Sequence, residues 1–170
     1  MSDASDGRGK LGYGLGKDEG EAFWVFGMLE TIKISAADTD GRYGLVEVVA
    51  REGDGPPWHV HHEEDEWFYA LEGAWTVYVG DERVNLTPGS FAFGPMGVPH
   101  TFVAETEGAK VLVGLAPVMF EGFIREAGRP APERVLPPPP DGPPDMAVIQ
   151  PMAARHGFEI LGPPGPPHGR

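Results

Sequence analysis

Between residues 22 and 117 the chain alternates short apolar runs with turn-forming residues. Runs rich in Val, Ile, Phe, Trp, Tyr and Thr occupy 22–26, 28–35, 43–50, 57–62, 66–71, 75–79, 83–86, 91–93, 100–104 and 111–115. The separators, among them Asp40-Gly41, Gly53-Asp54-Gly55, Glu72-Gly73, Gly80-Asp81, Pro88-Gly89 and Pro95-Met96-Gly97, carry turn chemistry. This spacing predicts an all-β sandwich or barrel. The period then changes: Phe120, Phe123 and Ile124 fall at helical spacing, which predicts a helix over 120–127 with Gly128 as its stop. A second short helix is expected from about Asp145, as N-cap, to His156, with Pro151 limiting its regularity. No repeat of helical or solenoid type is visible.

Composition adds the ends to this picture. Residues 1–20 are polar with six Gly, and 13 of the 19 Pro fall between Pro130 and Pro167. The chain therefore divides into a lead-in over 1–20, a barrel over 21–118, and a helical and proline-rich extension over 119–170 that wraps the barrel or trails from it. At 170 residues one domain with a sizeable core is the default. The net charge is -13, and residues 21–120 carry 16 acidic against 5 basic residues, or -11 of it. Phosphate neutralisation needs clustered Lys and Arg, so nucleic-acid and anionic membrane partners are not expected. The absence of Cys removes disulfides, thiol nucleophiles and thiolate metal sites. No signal-peptide pattern and no run of about 18 apolar residues is present, so the expected location is cytoplasmic.

Three of the six His lie in Trp58-His59-Val60-His61-His62-Glu63-Glu64-Asp65-Glu66. On a strand, His59 and His61 share one face, about 7 Å apart along it, and can converge on one ion. A tight turn over 62–65 would return an antiparallel strand near Glu66 and set its carboxylate beside them. His100 opens another expected strand. Three imidazoles and a carboxylate suit Fe, Mn, Co, Ni, Cu or Zn and leave positions for water or substrate. Asp65 competes with Glu66 as the oxygen ligand, and the segment is also compatible with a solvated acidic hairpin. His62 should face away, Glu63, Glu64 and Asp65 read as a solvated charge run, and His156 and His168 lie in the tail, away from the cluster.

The segment Gly53-x5-His59-x-His61-x4-Glu66-x6-Gly73 resembles the first motif of the cupin superfamily. Gly89-x5-Pro95-x-Gly97-x2-His100-x3 resembles the second, except that Ala104 stands where the family usually has Asn. The resemblance implies a jelly-roll β-barrel holding one divalent transition metal ion through His59, His61, Glu66 and His100, and a homodimer that uses strands within 22–35. Longer stretches, including Glu64-Asp65-Glu66-Trp67-Phe68-Tyr69 and Gly157-Phe158-Glu159-Ile160-Leu161-Gly162-Pro163, are similar to bacterial single-domain cupins of the quercetin 2,3-dioxygenase-like group.

Alternation puts Phe68 and Ala70 on the face of Glu66, and Phe102 and Ala104 on that of His100. Phe68 and Phe102 are thus expected to wall a substrate pocket or fill the barrel core, while Trp67 and Tyr69 face outward. Such a pocket suits a flat hydrophobic organic substrate bearing oxygen. For a dioxygenase, which the resemblance implies, the metal would orient substrate and dioxygen, and Glu66 would accept the proton of an aromatic enol. The alternatives are a metal-dependent cyclase or isomerase of polyketide-like substrates, and a cupin that binds small molecules without turnover. The acidic residues around the motif should repel anionic ligands. No helix-turn-helix pattern precedes the barrel.

Overall fold

The computed structural model describes residues 12–139 and 142–167; most of the lead-in, and His168, lie outside the described residues. Strands β1 (Glu21–Val25), β2 (Met28–Ile34), β3 (Gly44–Ala50), β4 (Trp58–His61), β5 (Asp65–Glu72), β6 (Trp75–Val79), β7 (Glu82–Leu86), β8 (Phe91–Gly94), β9 (His100–Ala104) and β10 (Ala109–Ala116) correspond one to one with the ten expected segments. After β10 come helix α2 (Phe120–Ala127), strand β11 (Arg129–Pro130), helix α3 (Met146–Arg155) and strand β12 (Phe158–Gly162). A single turn, α1 (Ala36–Thr39), separates β2 from β3. A capping box between Ser35 and Asp38 opens it.

The strands form two antiparallel sheets, ordered β11-β1-β2-β3-β10-β5-β8 and β12-β4-β9-β6-β7. Their facing sides bury the core. Along β3 the positions of Val46, Val48 and Ala50 alternate with half-buried ones, and Phe68, Trp75, Phe102, Val111 and Leu115 come from the inner faces of other strands. Each buried Val, Leu or Phe among them stabilises the closed barrel by about 1.5–3 kcal/mol. This is the jelly-roll architecture expected from the sequence, and β1 and β2 pair with each other within the chain.

The extension wraps the barrel. Helix α2 buries Phe123 and Ile124, with Gly128 as its C-cap, and the Asp145 side chain caps α3 by accepting from the Ala147 N–H at 3.0 Å. The proline-rich segments are tied down by tryptophans of the barrel. The Trp24 indole donates to the Val135 carbonyl at 2.8 Å, and that of Trp58 to the Gly165 carbonyl at 2.9 Å. Two short strands were not legible in the sequence: β11 extends β1, and β12 lies along β4. No helix among the described residues is long and apolar enough to cross a membrane.

Candidate metal centre

His59 and His61 lie on the same face of β4, and His59 is directly opposite His100 on β9. The loop that delivers His100 is fixed to β4, because the Gly97 N–H donates to the His61 carbonyl at 2.7 Å. Gly97 turns there with φ 75°, a conformation that favours glycine. Gly94, paired with Glu66 across β8 and β5, leaves room for the third imidazole: a Cβ on it would sit 3.3 Å from His100 Nδ1.

Glu66 reaches the imidazoles by a different path from the expected hairpin. β4 pairs with β9 and β12, whereas β5 pairs with β10 and β8. The turn after His61 therefore carries the chain from one sheet to the other, and Glu66 meets the histidines across the barrel interior. The anchor of that crossing is Glu64. Only 1% exposed, it accepts from the backbone N–H groups of Met119 and Phe120 at the start of α2. This corrects the reading of the run as solvated at Glu64, while Glu63 is exposed as expected: a carboxylate at a helix N-terminus finds donors and a favourable dipole without water. Asp65 instead accepts from the Met96 N–H at 2.9 Å, and His62 is exposed.

His59, His61, Glu66 and His100 are all buried, and one ligand atom from each lies within 4.8 Å of the other three. Nε2 of His59, His61 and His100 stands 3.5, 3.3 and 2.7 Å from Glu66 Oε2. Two of the outer nitrogens are already committed. Nδ1 of His59 donates to the Pro57 carbonyl at 2.7 Å and that of His100 to the Val98 carbonyl at 2.9 Å, since a carbonyl can only accept. His61 Nδ1 is 3.0 Å from Glu64 Oε1. With Nδ1 held by a carbonyl, His59 and His100 each present Nε2 to the interior, the nitrogen through which such a ring would ligate a metal.

The electrostatics of the cluster also call for a cation. Burial, then the neighbouring His100, pushes His59 down to about 4, so it stays neutral. Burial alone would lower His61 too, but the Glu64 and Glu66 carboxylates on its two sides outweigh this and hold it up to about 9. Burial would raise Glu66, yet its contacts with His100, His59 and His61 hold it well below the usual carboxylate range. An ionised carboxylate facing three inward nitrogens in a dry interior fits a divalent transition ion, which can replace the proton on His61. The cluster can hold a metal.

A small cavity adjoins it, with about 20 Å³ of free space. His59 and Glu66 line it together with Phe102, Phe120, Phe158 and Glu30. Phe68 is fully buried beside this wall, its ring 5.1 Å from that of Phe102 and 6.1 Å from that of His100. Phe158 of β12 packs on His61 at 5.3 Å and on Phe123 at 4.8 Å, a contribution from the tail that spacing did not foreshadow. Glu30, also unforeseen, is pushed up to about 8 by burial and then by the Glu66 charge. His156 lies away from the cluster, 2.7 Å from Glu126.

Residues 45–115 match the family described as the cupin domain. The barrel is a cupin. Quercetin 2,3-dioxygenase of Bacillus subtilis is 30% identical to this cupin over 129 residues, which is 76% of the chain and 38% of that relative's length. The chain thus spans about two-fifths of the relative. Among solved structures, an RmlC-like cupin from Shewanella frigidimarina superposes with a TM-score of 0.55 at 18% identity, covering 65% of this chain and 96% of that one. The polyketide cyclase RemF from Streptomyces resistomycificus gives 0.52 at 23% identity, covering 62% and 79%. At these identities the two structures bear on the fold of the cupin alone.

Proposed function

We propose that this cupin is a metal-dependent dioxygenase acting on a flavonol-like or other aromatic enol substrate. The observation that carries the reading is the buried cluster of three histidines and Glu66 opening on an apolar, aromatic-walled cavity. The similarity to a quercetin 2,3-dioxygenase supports it. His59, His61, Glu66 and His100 would hold the ion, with Phe68 and Phe102 backing the substrate. A bound transition ion supplies Lewis acidity toward a substrate oxygen and stabilises the anion that develops on it.

The rest is done by the chain. Glu66, kept ionised by its neighbours, is in the form that accepts the enol proton. The aromatic wall excludes water and orients a planar ring. About 20 Å³ holds a water or two, so a flavonol enters only when the wall yields. Phe26, Pro57 and Phe120 are the lining residues that are only partly buried, and they mark where the cavity approaches the surface.

The test is incubation of metal-reconstituted protein with a flavonol panel, with and without oxygen. Oxygen uptake matched by loss of the flavonol absorbance is the expected result. Turnover without oxygen would replace the reading with a cyclase or isomerase, and saturable binding without consumption would replace it with a binding protein.

A further inference from the structure

On β2 the positions facing the barrel interior are Met28, Glu30 and Ile32. Glu30 stands in an otherwise apolar row, for the register places it opposite Val48, Val48 opposite Val111, and Val111 opposite Ala70. It is 3% exposed, and its Oε2 has no hydrogen-bond partner. Burying a carboxyl this way costs stability that a Leu at the same place would not. Its surroundings show where it can act: of the side chains lining the cavity, only Glu30, His59 and Glu66 are polar. Two of these belong to the metal cluster, and Glu30 faces the same space from β2, in the sheet that also carries Glu66 and opposite the sheet of His59.

We infer that Glu30 is a substrate-contacting residue whose carboxyl hydrogen-bonds a second oxygen of the ligand while a first oxygen faces His59, His61, Glu66 and His100. The inference rests on the proposed reading of this cavity as the substrate site. It narrows the substrate class to planar aromatics with two oxygen functions on separate edges. A ligand lacking the second oxygen leaves a buried carboxyl unpaired and is bound more weakly.

The experiment measures anaerobic binding, by absorbance titration, of a flavonol series stripped of its hydroxyls one at a time down to 3-hydroxyflavone. The proteins are metal-loaded wild type, Glu30→Gln and Glu30→Leu, with metal content measured in each. One particular hydroxyl should contribute about 10- to 100-fold in affinity to wild type. Glu30→Leu should lose that factor and be indifferent to the hydroxyl, whereas Glu30→Gln, which keeps the hydrogen-bonding groups, should retain most of it. Metal content should be equal in all three. The inference is overturned if Glu30→Leu binds the series as wild type does, if no member binds wild type, or if Glu30→Gln loses the metal. Admitting air afterwards separates the two ideas, because a flavonol that is bound through Glu30 but never consumed defeats the dioxygenase reading alone.

Discussion

Glu64 Oε1 lies 3.0 Å from His61 Nδ1, on the opposite edge of the ring from Glu66 Oε2 at 3.3 Å. The same carboxylate accepts the first backbone N–H groups of α2. It thereby orients one imidazole and fixes the helix that closes the cavity. Glu64→Gln should lower metal affinity about 10- to 100-fold with the fold intact, as measured by competition with a chromophoric chelator and by circular dichroism. Unchanged affinity would show that His61 needs no such support.

His61→Ala takes away an inward nitrogen and should strip most of the metal. Elemental analysis of the purified variant is the check, and an undiminished metal content would remove His61 from the ligand set.

Phe158→Ala should destabilise the protein by about 3–5 kcal/mol, because the ring is buried among His59, His61, Phe120 and Phe123. Thermal or denaturant unfolding measures the loss. A change below about 1 kcal/mol would mean that β12 is not part of the cooperative core.

Glu30 gives the metal-stripped protein a distinctive pH dependence. Its carboxyl moves from 4.5 to about 8 on folding. Below about 4.5 it is protonated in both states and carries no ionisation penalty. As pH rises toward 8 the unfolded chain releases the proton that the folded one retains, so stability falls. Glu66 and His59 are the titratable groups that share its cavity. In Glu30→Gln this fall should be absent, and the melting-temperature advantage of the variant over wild type should widen from pH 5 to pH 8. A constant difference across that range would contradict the assignment.

The strands were readable because one buried face imposes a period of two, which survives in segments such as Gly44–Ala50. The histidines and Glu66 were readable because an ion demands several ligands at one point, and a two-residue spacing on a strand supplies two at once. Glu64 was not, since its acidic neighbours made it look solvated and its partners are amides more than fifty residues away. Phe158 offered no local sign either, being placed by pairing with a strand about a hundred residues earlier. Glu30 did leave a trace: it shares parity with Met28 and Ile32 in a run otherwise apolar on that face, where a charge is out of place.

The pairing of β12 with β4 sets an order of events during synthesis. Ile160 lies beside His59, so all the candidate ligands have left the ribosome well before the strand that covers them. Phe158, whose ring stands 6.0 Å from that of His59 and 5.3 Å from that of His61, is therefore synthesised after every candidate ligand, and a chain cut short before it would leave both imidazoles without that aromatic neighbour.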